Sequence, residues 1–135
     1  MDTEPPLPAA DELPPLTETI EAAVIRRGGG CPMVEFFHHI GGKWSFPILY
    51  VLYRAEAPLR FGELRRRLEP VTQKELTRHL RAFERLGLVS RGILCSQPLQ
   101  VEYALTEYGR TLEAPLNAVA AWVLHHGGPL FRSES

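Results

Sequence analysis

Three shortages in this 135-residue sequence limit what the protein can be. It has only two cysteines, Cys31 and Cys95, which argues against a disulfide-stapled secreted domain and suits a reducing compartment. Its amino terminus has neither the basic start nor the apolar segment of a signal peptide. The longest dense apolar run, Phe46 to Tyr53, is far too short to cross a membrane. We therefore expect a soluble, cytoplasmic protein without a membrane partner.

The sequence also lacks the motifs of the common catalytic and nucleotide-binding sites. No G-x-S-x-G, P-loop, dinucleotide fingerprint or metalloprotease helix is present. The histidine pairs His38-His39 and His125-His126 have no cysteine or carboxylate at a recognisable ligand spacing, and neighbouring helical residues diverge by about 100°. We expect interface or surface histidines, no cofactor or metal, and no enzymatic activity.

The charges are strongly segregated along the chain. The formal net charge is only −1, yet residues 1–21 carry six acidic residues and no Lys or Arg. Residues 54–91 carry a net charge of +5, from nine Arg and one Lys against five Glu. Such a basic segment is compatible with nucleic-acid binding despite a near-neutral total. The length suits one domain, which we place at residues 16–130, between a disordered, acidic, Pro-rich leader at 1–15 and a tail at 131–135.

The most informative segment of the chain runs from Thr72 to Leu88. Within it Leu76, Leu80 and Phe83 recur at spacings of four and three, so they share one face of a helix. The opposite face, with Thr77 beside it, carries the basic residues Lys74, Arg78, Arg81 and Arg85. We predict a helix with one face anchored in a core and the other open to DNA phosphates and base edges.

Capping signals mark both ends of this helix, which we place at residues 72–87. Thr72 is followed three residues later by Glu75, the spacing of a capping box in which each side chain bonds the other residue's backbone N–H. Gly87 suits the left-handed turn that ends a helix. The preceding segment FGELRRRL, in which Phe61, Leu64 and Leu68 share a face, predicts the first helix of a helix-turn-helix.

Three helices are expected before this pair. The first covers residues 17–25. Pro32 suits the first position of the second, which makes Cys31 its capping residue. The third covers residues 43–54, is largely buried, and has Pro47 in its second turn, where it should remove a hydrogen bond or bend the helix. The inward-facing residues of the second helix are expected to be Val34, Phe37 and Ile40.

The segment after Gly87 predicts a wing and one more helix. Residues 88–94 and 99–105 are β-prone and read as a two-stranded hairpin. Thr106 should cap a last helix that continues to about His125, with Pro115 bending it. The fold is therefore expected to be mainly α with a small β-hairpin (α+β), a winged helix-turn-helix. Its outer helices have excess apolar surface, which predicts dimerisation.

Short motifs along the chain match one family in order and spacing. They are Cys31-Pro32, IGGKW at 40–44, Ile48-Leu49, RFGELRRRL at 60–68, Thr72-Gln73 with Leu76, Thr77 and Leu80, LGLVSR at 86–91, and VEYALTEYGRTL at 101–112. Through them the chain resembles the HxlR-type family of bacterial winged helix-turn-helix regulators, in the MarR-like superfamily. The resemblance implies a homodimeric transcriptional regulator, by family tendency a repressor, on a pseudo-palindromic operator in double-stranded DNA.

The resemblance also implies how the residues divide the contact with DNA. The recognition helix would present Gln73, Lys74, Thr77 and Arg78 to the major groove. The residues from Arg65 to Arg67, with Arg60, would lie toward the DNA backbone. From their position along the helix, Arg81 and Arg85 are expected on phosphates. The full expected DNA-binding set is Arg60, Arg65, Arg66, Gln73, Lys74, Thr77, Arg78, Arg81, Arg85 and Arg91.

The wing departs from the family pattern. Family wings tend to read P-P-K-V-E-Y, whereas this chain has Pro98-Leu99-Gln100 and no Lys or Arg from Gly92 to Val101. That departure weakens the expectation of wing–phosphate contacts. The uncharged wing and acidic leader keep open a different class of function, a winged-helix dimerisation or protein-interaction module without sequence-specific DNA readout.

Effector control is the remaining question. A thiol at a helix amino terminus, such as that of Cys31, is favoured as the thiolate, and some members of the family sense oxidants or electrophiles at this position. The alternative is a partly buried capping residue with no redox role. A small apolar pocket between the terminal helices and the core could instead bind a small-molecule effector, which the sequence does not identify.

Overall fold

The computed structural model describes residues 12–131, so most of the expected leader and tail lies outside the described part of the chain. The described part divides into two compact units, one up to Gly41 and the other from Gly42 on. The elements are α1 (Leu16–Arg26), α2 (Pro32–Ile40), α3 (Ser45–Arg54), β1 (Leu59–Arg60), α4 (Phe61–Arg67), α5 (Gln73–Arg85), β2 (Val89–Ser96), β3 (Leu99–Leu105), α6 (Glu107–Arg110) and α7 (Glu113–His126), followed by a 3₁₀ turn at Gly128–Phe131. The expected winged helix-turn-helix is confirmed.

The first unit consists of α1 and α2, joined through the glycine turn at residues 28–30. Cys31 is the N-cap residue of α2, as predicted. The prediction that Val34 and Phe37 face inward is wrong, because they are 69% and 59% exposed and only Ile40 of the expected three is buried. A pair of short helices has too little apolar surface for each helix to bury all of the other's apolar side chains. In agreement with this, no residue of α1 is buried.

The core of the second unit lies where α3, α4 and α5 meet. These helices supply the fully buried apolar side chains Ile48, Leu49, Leu64, Leu76, Leu80 and Phe83, and β2 adds Val89. Each such side chain contributes about 1.5–3 kcal/mol by leaving water. The three residues from α5 therefore outweigh the roughly 1 kcal/mol that a helix cap supplies, so burial fixes which way α5 faces.

Helix α3 begins later than the sequence suggested. Trp44 is its N-cap, which makes Pro47 the third helical residue rather than part of a second turn. The backbone N–H groups of a first turn have no partner within the helix, so the proline removes no hydrogen bond there. The backbone N–H of Ile48, the next residue, donates normally to the carbonyl of Trp44 at 3.0 Å. The prediction that Pro47 removes a hydrogen bond from a second turn was wrong.

The sheet has three antiparallel strands in the order β1-β3-β2, rather than the two of a simple hairpin. The short β1 joins because Leu59 and Arg60 pair with Tyr103 and Glu102. Strand β2 extends to Ser96, so Cys95 lies within the strand and not in the turn. The sheet therefore ties the wing to the strand that leads into α4.

The last predicted helix is two helices. Thr106 caps α6, its Oγ1 accepting from the backbone N–H of Gly109 at 2.9 Å, but the chain breaks after Arg110 and restarts as α7. Pro115 cannot donate to the carbonyl four residues before it and its ring crowds that carbonyl. The break puts Pro115 at the third position of α7, where no donor is needed. No helix within residues 12–131 is long and apolar enough to span a membrane.

Two glycines test this packing with opposite expected results. Gly109 is buried, and a Cβ there would collide with the carbonyl oxygen of Leu88, whereas a Cβ at Gly62 in α4 would meet nothing. We expect Gly109→Ala to lower the free energy of unfolding by about 1–3 kcal/mol and Gly62→Ala to leave it unchanged or raise it by up to about 1 kcal/mol. Urea denaturation measures both. Wild-type stability in Gly109→Ala would contradict the close contact between α6 and the segment before β2.

Candidate nucleic-acid interface

Helix α5 has the predicted capping at both ends. Thr72 Oγ1 accepts from the backbone N–H of Glu75 at 3.1 Å, and Glu75 Oε2 accepts from the backbone N–H of Thr72 at 2.9 Å. Gly87, with a φ of +80°, turns the chain out of the helix. The hydrogen bond from Thr72 holds the pKa of Glu75 below its usual value, and the positive charges of Lys43 and Arg78 act in the same direction. The start and the end of the helix are thus fixed locally.

The two faces of α5 differ as the sequence predicted. Leu76, Leu80 and Phe83 are completely buried. The opposite side forms one open concave surface, here called the α5 groove, lined by Gln73, Lys74, Thr77, Arg78, Arg81 and Arg85. Thr77 is half-buried and the other five are exposed. Within residues 12–131, none of these side chains forms a salt bridge, so their charges are available to a ligand.

The wing adjoins one side of this groove. A second concave surface contains Gln73, Thr77 and Arg81 from α5 together with Arg91 and Leu99 from the wing. Arg91 of β2 pairs in register with Tyr103 of β3, which lines the same surface. The structure therefore places Arg91 next to α5. It is the only Lys or Arg of the two wing strands.

Three other residues of the expected DNA-binding set lie outside the α5 groove. Arg65 and Arg66 line a separate concave surface beside the turn between α4 and α5. Arg60 is exposed on β1, where it pairs in register with Glu102. Arg67 binds the carboxylate of Glu63 one helical turn earlier, at 2.8 Å. These arginines do not join the α5 groove.

The wing tip is apolar as well as poor in charge. Ile93, Leu94 and Leu99 are 62%, 46% and 61% exposed. The low charge of the wing was predicted from the sequence, but the position of Leu99 beside α5 was not. The alternation of Leu99, Val101 and Tyr103 was the available signal, because alternate residues of a strand share a face.

Outside this interface, two features bear on effector control. Cys31 is half-buried and its side chain makes no capping hydrogen bond, while the thiol of Cys95 lies 3.5 Å from the carbonyl oxygen of Gln97. A cleft between α3 and α7 includes Phe46 and Tyr53. Burial raises the pKa of Tyr53 to about 12, and its hydroxyl donates to the carbonyl of Gly109 at 3.0 Å. Among residues 12–131 no cluster suited to a metal occurs.

A helix-turn-helix with an anchored second helix, a basic outer face and a β-hairpin wing defines an HTH-type transcriptional regulator. Residues 39–130 match the family described as HxlR-like helix-turn-helix, and the chain belongs to that family. It is 41% identical over 93 residues, 69% of this chain and 71% of the other, to the uncharacterized HTH-type transcriptional regulator YdeP of Bacillus subtilis (strain 168).

Two solved structures of regulators are similar to this chain over most of its length. YodB of B. subtilis, an HTH-type transcriptional regulator, matches in its reduced form with a TM-score of 0.65 and 33% identity, over 74% of this chain and 97% of that one. The redox regulator HypR matches in its reduced form with a TM-score of 0.64 and 36% identity, over 73% of this chain and 96% of that one. HypR has also been solved oxidised, and YodB after diamide treatment.

The capping box generates a pH-dependent prediction. Because the folded-state pKa of Glu75 is lowered, its ionised form stabilises the fold above the ordinary Glu pKa of about 4.3, and this contribution disappears as the pH falls through the folded-state value. Glu75→Gln keeps a capping-box side chain but no charge. We expect the wild type to be the more stable protein near neutral pH and the two to converge in strong acid. A stability difference that stays constant with pH in urea denaturation would contradict this.

Proposed function

We propose that the protein is a dimeric, sequence-specific DNA-binding repressor that places α5 in the major groove of a pseudo-palindromic operator. The observation that carries this proposal is the α5 groove, where six side chains suited to bases and phosphates line one surface opposite a completely buried face. A protein of this kind acts in the cytoplasm, where bacterial DNA is found.

Position along α5 suggests how the contacts divide. The major groove, about 12 Å wide, admits a helix, and recognition helices contact base edges with their amino-terminal residues. Gln73 and Arg78 can each make bidentate contacts, to adenine and to guanine respectively, with Lys74 and Thr77 between them. Arg81 and Arg85 then bind phosphates, and Arg91 extends the charge to the wing. Arg60, Arg65 and Arg66 are left as outlying backbone contacts.

The dimer rests on exposed apolar side chains of the outer helices. In α7, Val119, Trp122 and Leu124 are 59%, 55% and 83% exposed, and Val34 and Phe37 of α2 are comparably open. Apolar surface of this kind marks an interface. A symmetric dimer would set two α5 helices about 34 Å apart, one turn of DNA, and so match a two-fold operator.

A second candidate from a different class is a winged-helix interaction module without sequence-specific readout. The exposed Ile93, Leu94 and Leu99 of the wing favour it, because they suit a protein surface better than a phosphate backbone. The two candidates differ in one property. Only a sequence-reading regulator binds one duplex more tightly than a random duplex of equal length.

We also propose that oxidation at Cys31 controls DNA binding. The thiol stands at the amino terminus of α2, is half-buried and is not engaged in capping, so an oxidant can reach it without first breaking a hydrogen bond. The solved reduced and oxidised forms of HypR support a redox response in relatives of this fold.

The leading proposal predicts the effect of one substitution in the groove. Arg78→Ala removes a bidentate donor, so affinity for a duplex that the wild type has selected from a random library should fall roughly 10- to 100-fold, about 1–3 kcal/mol. Fluorescence anisotropy measures the affinity and sedimentation the dimer, which should persist. Arg54→Ala is the matched control, since Arg54 lines the α3–α7 cleft instead. Equal affinities of Arg78→Ala and the control would remove Arg78 from the contact.

The redox proposal predicts a reversible loss of binding. Diamide takes up two electrons and two protons as it joins the Cys31 thiols of two protomers in a disulfide, so wild-type affinity for the selected duplex should fall. Excess dithiothreitol should restore the affinity, because it reduces that disulfide by thiol exchange. Cys31→Ser should keep its affinity throughout, whereas Cys95→Ser should respond like the wild type. A Cys31→Ser protein that still loses affinity in diamide would end the case for Cys31 as the sensor.

A further inference from the structure

The two flanks of the α5 groove are occupied by different parts of the chain. At about 100° per residue, Gln73 and Thr77 lie on one side of the basic stripe and Glu75 and His79 on the other. The wing adjoins the side of Gln73 and Thr77. The opposite side is met by the loop before α3, since a Cβ at Gly42 would lie 3.4 Å from Cε1 of His79.

Lys43 stands in that loop. It is exposed, and its ammonium lies 5.4 Å from the centroid of the Trp44 ring, within the range of a cation–π contact. Trp44 is half-buried and leads directly into the buried Ser45 at the start of α3, so the loop is held by the core. Within the described residues Lys43 forms no salt bridge. The contact with Trp44 therefore positions the Lys43 charge, and that charge is available to a ligand.

We propose that Lys43 is a DNA-phosphate contact on the strand that borders the groove across from the wing. The proposal rests on α5 entering the major groove, as argued above. A helix in that groove lies between two phosphate backbones. On the wing side the two wing strands supply Arg91, whereas Lys43 on the other side carries a point charge on a long stem, a common phosphate ligand. The IGGKW motif thereby acquires a role in binding DNA.

A purely structural role for Lys43 makes a different prediction. If its charge serves only the Trp44 ring or the nearby Glu75 carboxylate, its removal lowers stability but leaves the number of phosphate contacts unchanged. The salt dependence of binding separates the two roles. Each neutralised phosphate adds about 0.9 to the slope of log affinity against log salt concentration.

The test uses the full chain and a duplex that the wild type has selected from a random library. Anisotropy titrations over a range of KCl concentrations give the salt slope for wild type, Lys43→Gln and Lys43→Arg. We expect Lys43→Gln to reduce the slope by about 0.9 per bound Lys43, or about 1.8 for a dimer, and Lys43→Arg to restore it. Arg54→Gln is the control, because it removes the same charge from the far end of α3, which is 10 residues long.

Two further measurements make each outcome decisive. Phosphate-ethylation interference should show one phosphate per half-site, on the strand away from the wing, that matters to the wild type but not to Lys43→Gln. Thermal unfolding checks folding, and Lys43→Met, which keeps the stem on Trp44, replaces Lys43→Gln if that variant unfolds. If a folded variant without the Lys43 charge keeps the wild-type salt slope and ethylation pattern, the inference about Lys43 is overturned and the proposed function is not. A wild type that selects no duplex would instead overturn the proposed function.

Discussion

The burial of Leu76, Leu80 and Phe83 in α5 is the constraint on which the orientation of the basic side of this protein depends. These three side chains are fully buried, so α5 cannot rotate about its axis without exposing apolar surface at a cost of several kcal/mol. The orientation of the basic residues on the opposite face follows directly. The capping box fixes where the helix begins, and Gly87 ends it just before β2, which brings the wing alongside.

The features of the fold that the sequence predicted well are those set by local physics. The Thr72–Glu75 box and the spacing of the α5 apolar residues involve neighbours within one or two turns, and both were confirmed. The effects of Pro47 and Pro115 were harder to predict, because a proline disrupts a helix or starts one depending on where that helix begins. The exposure of Phe37 depends on which other surfaces are available to cover it, which no local pattern contains.

The same division applies to the candidate site. Helical periodicity predicted the stripe on α5, and the structure gathers that stripe into one groove. Which other basic residues join it depends on sheet pairing: the register of β2 with β3 sets Arg91 beside α5, while Arg65 and Arg66 line another surface. With an apolar wing tip, the two wing strands add only Arg91 to the four basic residues of α5. The loss of charge from α5 should therefore not be compensated by the wing.

The most direct test of this account is a competition between a duplex selected by the protein and a random duplex of equal length at physiological salt. The account predicts a selected sequence with two-fold symmetry and half-sites about 10 base pairs apart, bound at least about 1,000-fold more tightly than the random duplex. Equal affinity for the two duplexes would contradict sequence reading by α5. A stable dimer that binds no duplex even at low salt would instead identify a protein-interaction module.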